Sequence, residues 1–197
     1  MIGGMMEKEL VRALKRYPVF SVRDIANVLG KSRNYAYLAA YRLKKAGAIR
    51  EIEKGKYTLG ADPLLVASWI VWPSYVSGWA ALNYYGLTEQ LPFTIHVMTT
   101  RKRKRKTISF GNAKIEFVKI KNGAFTGFKR VSYQERDMFI AEKEKAIVDA
   151  LATRKMSPGE AADLIRTNKG RLNGKKLLSY ARHWAGLAKK LKAMLHD

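Results

Sequence analysis

Residues 32–59 read Ser-Arg-Asn-Tyr-Ala-Tyr-Leu-Ala-Ala-Tyr-Arg-Leu-Lys-Lys-Ala-Gly-Ala-Ile-Arg-Glu-Ile-Glu-Lys-Gly-Lys-Tyr-Thr-Leu. Ser32 can cap a helix, because its hydroxyl accepts from backbone N–H groups of the first turn that have no partner of their own. Ala36, Ala39, Ala40 and Leu43 then recur at spacings of three and four, which predicts a helix to about Ala46. The stripe is narrow and made of small residues, so another helix can cross it closely. The opposite side carries Asn34, Tyr37, Tyr41 and Lys45, flanked by Arg33, Arg42 and Lys44. Gly47 suits the turn that stops such a helix. Residues 48–52, the basic tip Glu53-Lys54-Gly55-Lys56 and the run Tyr57-Thr58-Leu59 then predict a hairpin.

Working outward, Met6, Leu10, Ala13 and Leu14 share a face of a first helix that Tyr17-Pro18 ends. Ser21 caps a second helix, with Val22, Ile25, Ala26 and Leu29 inward and Gly30 as its stop. The order helix, helix, tight turn, long helix, basic hairpin resembles the winged helix family of transcription regulators. In that arrangement the third helix enters the major groove of duplex DNA. Ser32, Arg33, Asn34, Tyr37 and Tyr41 are then the candidates for base readout. Arg33 suits guanine and Asn34 adenine, since each makes two parallel hydrogen bonds there. Arg42, Lys44, Lys45, Lys54 and Lys56 are candidates for the DNA backbone. The competing reading is a winged helix used for protein contacts, with these cations merely solvated.

The chain has 197 residues and 47% hydrophobic content, enough to fill one large or two small cores. Its net charge of +22 favours a polyanionic partner, nucleic acid first and an anionic membrane second. Thirteen basic against five acidic residues leave 1–61 at +8, sixteen against eight leave 62–155 at +8, and nine against three leave 156–197 at +6. Cysteine is absent, which excludes disulfides and thiolate chemistry and suits a reducing cytoplasm. No secretory signal is legible at the N-terminus. Leu64 to Leu87 is uncharged, but Pro73, Asn83 and its serines and glycines argue against a membrane span. Two short helices, about 63–72 and 77–85 with Ser77 as a cap, fit better.

Strands are expected at 94–100, 107–110, 114–120 and 138–141, with a glycine-punctuated stretch at 122–128 and a helix over 142–151. Arg101-Lys102-Arg103-Lys104-Arg105-Lys106 falls between two strands, where mutual repulsion places it in an exposed loop. Either this secondary basic surface clamps phosphate, or it is a solvated turn. Ser77 to Gln90, with its core Trp-Ala-Ala-Leu-Asn-Tyr-Tyr-Gly-Leu-Thr-Glu-Gln, resembles the AbiEi-type antitoxins. The Arg/Lys block, Phe-Thr-Gly-Phe at 125–128 and Glu-Lys-Ala-Ile-Val-Asp at 144–149 extend the resemblance. It runs over about residues 5–155. It implies a prokaryotic repressor that binds inverted repeats upstream of its own operon. It further implies pairing with a nucleotidyltransferase-type toxin in a type IV toxin-antitoxin, abortive-infection system, with no stable complex required.

Ser157-Pro158-Gly159-Glu160 is a capping box opening a helix to about Thr167. Leu177, Ala181, Trp184, Ala188, Leu191 and Leu195 predict one long amphipathic helix whose other face is basic. Packed on its own chain it completes a domain; paired with its copy it would make a homodimer matched to a palindromic site. His96, His183 and His196 lack metal-ligand spacing, and no phosphate loop or nucleophile elbow is present, so no cofactor, metal or catalytic activity is expected. The Glu and Lys residues of 142–149 read as ordinary surface pairing. The expected architecture is α+β: a winged helix-turn-helix at 1–61, a mixed α/β domain at 62–155 and C-terminal helices at 156–197. A basic RNA-binding or ribosome-associated protein, or a module acting directly on a toxin enzyme, is the alternative.

Overall fold

The computed structural model describes residues 3–60 and 62–196. Ala61, at the expected domain boundary, and the side chain of Met6 lie outside the described residues. Helix α1 (Gly3–Leu14) buries Leu10 and Leu14. Strand β1 (Phe20–Ser21) leads directly into α2 (Val22–Leu29). Ser21 and Asp24 cap α2 reciprocally: Asp24 N donates to the Ser21 hydroxyl at 3.4 Å, and Ser21 N donates to the Asp24 carboxylate at 2.7 Å. Gly30, at φ +60°, takes the left-handed conformation that ends α2. Helix α3 (Arg33–Lys45) starts at Ser32, whose hydroxyl accepts from Tyr35 N at 3.3 Å.

Strands β2 (Arg50–Glu53) and β3 (Lys56–Thr58) form the expected hairpin. β3 also pairs with β1, so the sheet runs β1-β3-β2. Ala36 and Ala40 of α3, 0% and 1% exposed, pack with Val22, Ile25, Phe20 and Tyr57 in one apolar cluster. Small side chains at those two positions set the close crossing of α2 and α3. Ile52 of β2 points the other way, into the core of the following residues.

That second core surrounds a six-stranded mixed sheet. Helix α4 (Pro63–Ala67) precedes β4 (Ser74–Ser77), which runs into α5 (Gly78–Tyr84). Strands β5 (Thr94–Thr99), β6 (Thr107–Phe110), β7 (Ala113–Lys119), β8 (Phe128–Tyr133) and β9 (Arg136–Ala141) follow. The order is β6-β7-β5-β4-β9-β8. β4 is antiparallel to β5 and parallel to β9, β5 is parallel to β7, and an antiparallel hairpin closes each edge. Helix α6 (Lys143–Ala152) packs against α5 and α8 and touches β4 and β9. Helices α7 (Pro158–Thr167), α8 (Gly174–Ala181) and α9 (Leu187–His196) complete the chain. Leu177, Ala181, Leu187 and Leu191 enter the same core as the sheet.

Four sequence expectations are corrected. The helix expected at 63–72 stops at Ala67; the chain then passes a cis Trp72-Pro73 peptide and enters β4, with the Ser74 hydroxyl donating to the carbonyls of Ser68 and Val71. Ser77 stands before α5, but its hydroxyl donates to Asp149 at 2.8 Å and makes no cap. The long C-terminal helix is two helices, because the chain turns between Ala181 and Leu187, where Gly186 lies at φ +72°. Glu144, Lys145 and Asp149, expected at the surface, are 4%, 1% and 0% exposed. Helix α6 is central, so its charges face one another and the α8 region rather than water. Strand β8 follows the glycine-punctuated stretch and was not anticipated.

Candidate nucleic-acid interface

Because Ala36, Ala40 and Leu43 bury one side of α3, the helix turns Arg33, Asn34, Tyr37, Tyr41, Arg42 and Lys45 outward. Tyr37 is 47% and Tyr41 63% exposed. Arg33 and Tyr37, one turn apart, meet: the guanidinium donates to the phenol at 3.3 Å and lies 5.7 Å from its ring centroid. This contact pre-orients the arginine at the amino end of the helix. Ser32 is exposed, with its hydroxyl engaged as the N-cap. Leu38, 46% exposed, joins the same face and was missing from the sequence reading. Its spacing of four from Asn34 and three from Tyr41 was the available signal.

The expected backbone contacts divide into two groups. Arg42, Lys45 and Lys54 are exposed and form no ion pair among the described residues. Lys44 pairs with Glu51, which raises its pKa while leaving the ammonium exposed. Lys56 is directed inward: its ammonium donates to the Ile70 carbonyl and lies 3.0 Å from Glu53. In this conformation it joins the hairpin to the second core.

Glu53 is also gripped by Arg103 from the loop between β5 and β6, at 2.6 Å and 3.5 Å. The two side chains are 16% and 14% exposed, and the guanidinium lies 4.1 Å from the Phe117 ring centroid. Burial works to raise the Glu53 carboxyl, but hydrogen bonds from Arg103 and Lys56 hold it below its ordinary value. The basic run is therefore not uniformly solvated. Arg103 is a strut, while Arg101, Lys102, Lys104, Arg105 and Lys106 are exposed.

Behind this loop, His96 is buried with Nε2 3.5 Å from Glu116, which also accepts from Lys155 at 2.7 Å. Burial pushes the imidazole below its ordinary value, against the pull of Glu116. Deeper still, Asp149 pairs with Lys145 and accepts from Tyr75 at 2.9 Å and Ser77 at 2.8 Å. Among the described residues no cluster of three or more His, Asp or Glu could hold a metal, and no helix is long and apolar enough to cross a membrane.

The N-terminal unit thus projects an arginine, an asparagine and two tyrosines from one helix, with unpaired cations around them. Residues 8–60 match the model of a family described as transcriptional regulator, AbiEi antitoxin, so the resemblance to AbiEi-type antitoxins holds for this segment. The stretch at 77–90 on which that resemblance was also read lies outside the matched residues. No curated protein matches the chain.

Proposed function

We propose that residues 1–61 form a winged helix whose third helix, α3, reads duplex DNA, and that the chain is the repressor-antitoxin of a type IV toxin-antitoxin operon. The carrying observation is the outward face of α3. Arg33 and Asn34 stand at its amino end, where a groove-bound helix meets base edges, and Tyr37 and Tyr41 follow on the same side. Ser32 holds the end of the helix in place. Arg42, Lys44, Lys45 and Lys54 supply phosphate contacts, whose contribution declines with salt. Lys56 and the inward Arg103 serve instead to fix the hairpin on residues 62–155. The rest of the basic loop adds to the field that attracts DNA.

By the resemblance, the operator lies in the chain's own promoter as inverted repeats, the toxin is a nucleotidyltransferase acting in the same cytoplasm, and the two need not associate stably. The test is a gel shift with the promoter duplex against random duplex of equal length at fixed salt. Arg33→Ala with Asn34→Ala is expected to abolish the preference while leaving weak general binding. Equal affinity of the wild type for both duplexes would defeat sequence-specific repression, and displacement of DNA by structured RNA at equal salt would favour an RNA-binding role.

A further inference from the structure

The six-cation loop is an ordered wall, not a free turn. Arg101 N donates to the Thr99 hydroxyl at 3.1 Å at its start, and the Lys106 carbonyl accepts from Phe117 N at 2.7 Å at its end. Arg103 pins the middle through Glu53 and Phe117, and its Nε donates to the Arg105 carbonyl at 3.2 Å. So held, the loop closes one side of a cavity of about 550 Å³, bounded elsewhere by the end of β7 at Lys119 and by Lys155 in the turn that follows α6. Arg103 and Lys155 are paired there, with Glu53 and Glu116. Arg101, Lys102, Lys106 and Lys119 also line it and form no ion pair among the described residues.

Four unneutralised cations around one concavity repel one another until an anion lies between them. We infer that this cavity binds a polyphosphate group, the chemistry shared by inorganic tripolyphosphate and nucleoside triphosphates. A nucleoside triphosphate carries about four negative charges near neutral pH, since its terminal phosphoryl loses its second proton near pH 6, and tripolyphosphate carries a similar charge. The volume lies within the range of about 300–1,000 Å³ usual for small-molecule sites. Duplex DNA presents its phosphates along a convex ridge and calls for an open track, whereas these cations converge from two separate segments, the loop and the end of β7, on one hollow. The site is distinct from α3 and goes beyond DNA reading.

Titration calorimetry on the full chain at physiological salt tests it, with tripolyphosphate and ATP as probes. One anion per chain is expected, and Lys106→Ala with Lys119→Ala should weaken binding about tenfold. Equal affinity for the two probes makes the polyphosphate group itself the ligand, and tighter binding of ATP makes it a nucleotide. Lys189→Ala with Lys192→Ala, on exposed α9 positions, removes the same charge elsewhere and should leave binding unchanged. All four lysines are exposed, so matched melting temperatures are expected and confirm that the fold is kept. The proposal is overturned by several anions per chain or by equal weakening in the α9 variant. It is also overturned if the Lys106/Lys119 variant loses duplex affinity in the same proportion, which would assign the cavity to the DNA backbone.

Discussion

Lys145 and Asp149 are a buried pair one helical turn apart, with Tyr75 and Ser77 supplying the remaining donors to the carboxylate. Removing one member leaves the other charge uncompensated in the interior. Lys145→Met is therefore expected to destabilise by about 3–5 kcal/mol, and Lys145→Met with Asp149→Leu to recover much of it, as read by urea unfolding. Glu-Lys alternation on a helix is the same pattern whether it faces water or a core, so burial of this pair was not legible from residues 142–149. His96 has its own signature. Burial lowers its folded pKa below the unfolded value of about 6.5, so the unfolded chain binds more protons in the interval between the two values. Its contribution to stability is present above about pH 6.5 and lost as pH falls through the folded value. Stability measured from pH 7.5 to 5.5 should fall, and His96→Gln should flatten that part of the slope.

At the scale of elements, α3 was legible because its caps, its small-residue stripe and its exposed side all act within one short stretch from Ser32 to Ala46. Strand β4 was not: Ser-Tyr-Val-Ser is only four residues long and wholly buried, so it shows no alternation of apolar and polar positions. Its identity comes from pairing with β5 and β9, contacts distant in sequence. The C-terminal break was hidden for a related reason, since the apolar spacing continues through the turn at 182–186. The stripe on α3 carries a prediction. Ala40 is 1% exposed in the cluster formed with α2, and Ala40→Leu adds volume to that buried crossing. Overpacking of this kind costs about 1–3 kcal/mol, so thermal denaturation should register the loss and DNA binding should weaken without any change to an outward residue. Ser32→Ala, by contrast, should cost about 1 kcal/mol of cap and fray the end that carries Arg33 and Asn34.

For the whole molecule, the issue is how a small helical unit is aimed. The hairpin belongs to both cores: Tyr57 packs beneath α2 and α3, while Ile52 packs with the large sheet. Glu53 then holds Arg103, and Lys56, paired with Glu53 inside the hairpin, reaches the Ile70 carbonyl, so two polar links flank that apolar one. Asp62, just past the hairpin, accepts from Tyr133 at 2.9 Å and Gln134 at 3.0 Å and anchors the chain where it enters the second unit. None of these links touches the outward face of α3, yet together they determine where that face points relative to the basic loop. Glu53→Arg and Arg103→Glu should each loosen the joint, seen as faster proteolysis near residues 60–62, while the double exchange restores that one attraction with its sign reversed and leaves Lys56 beside a like charge, so recovery is partial. A double-mutant cycle on unfolding should give a coupling of about 0.5–3 kcal/mol between the two positions. If the joint sets the aim, each single variant will weaken operator binding more than binding to random duplex, and the exchange will recover part of the operator preference. Equal loss on both duplexes would mean that Arg103 acts only through its charge.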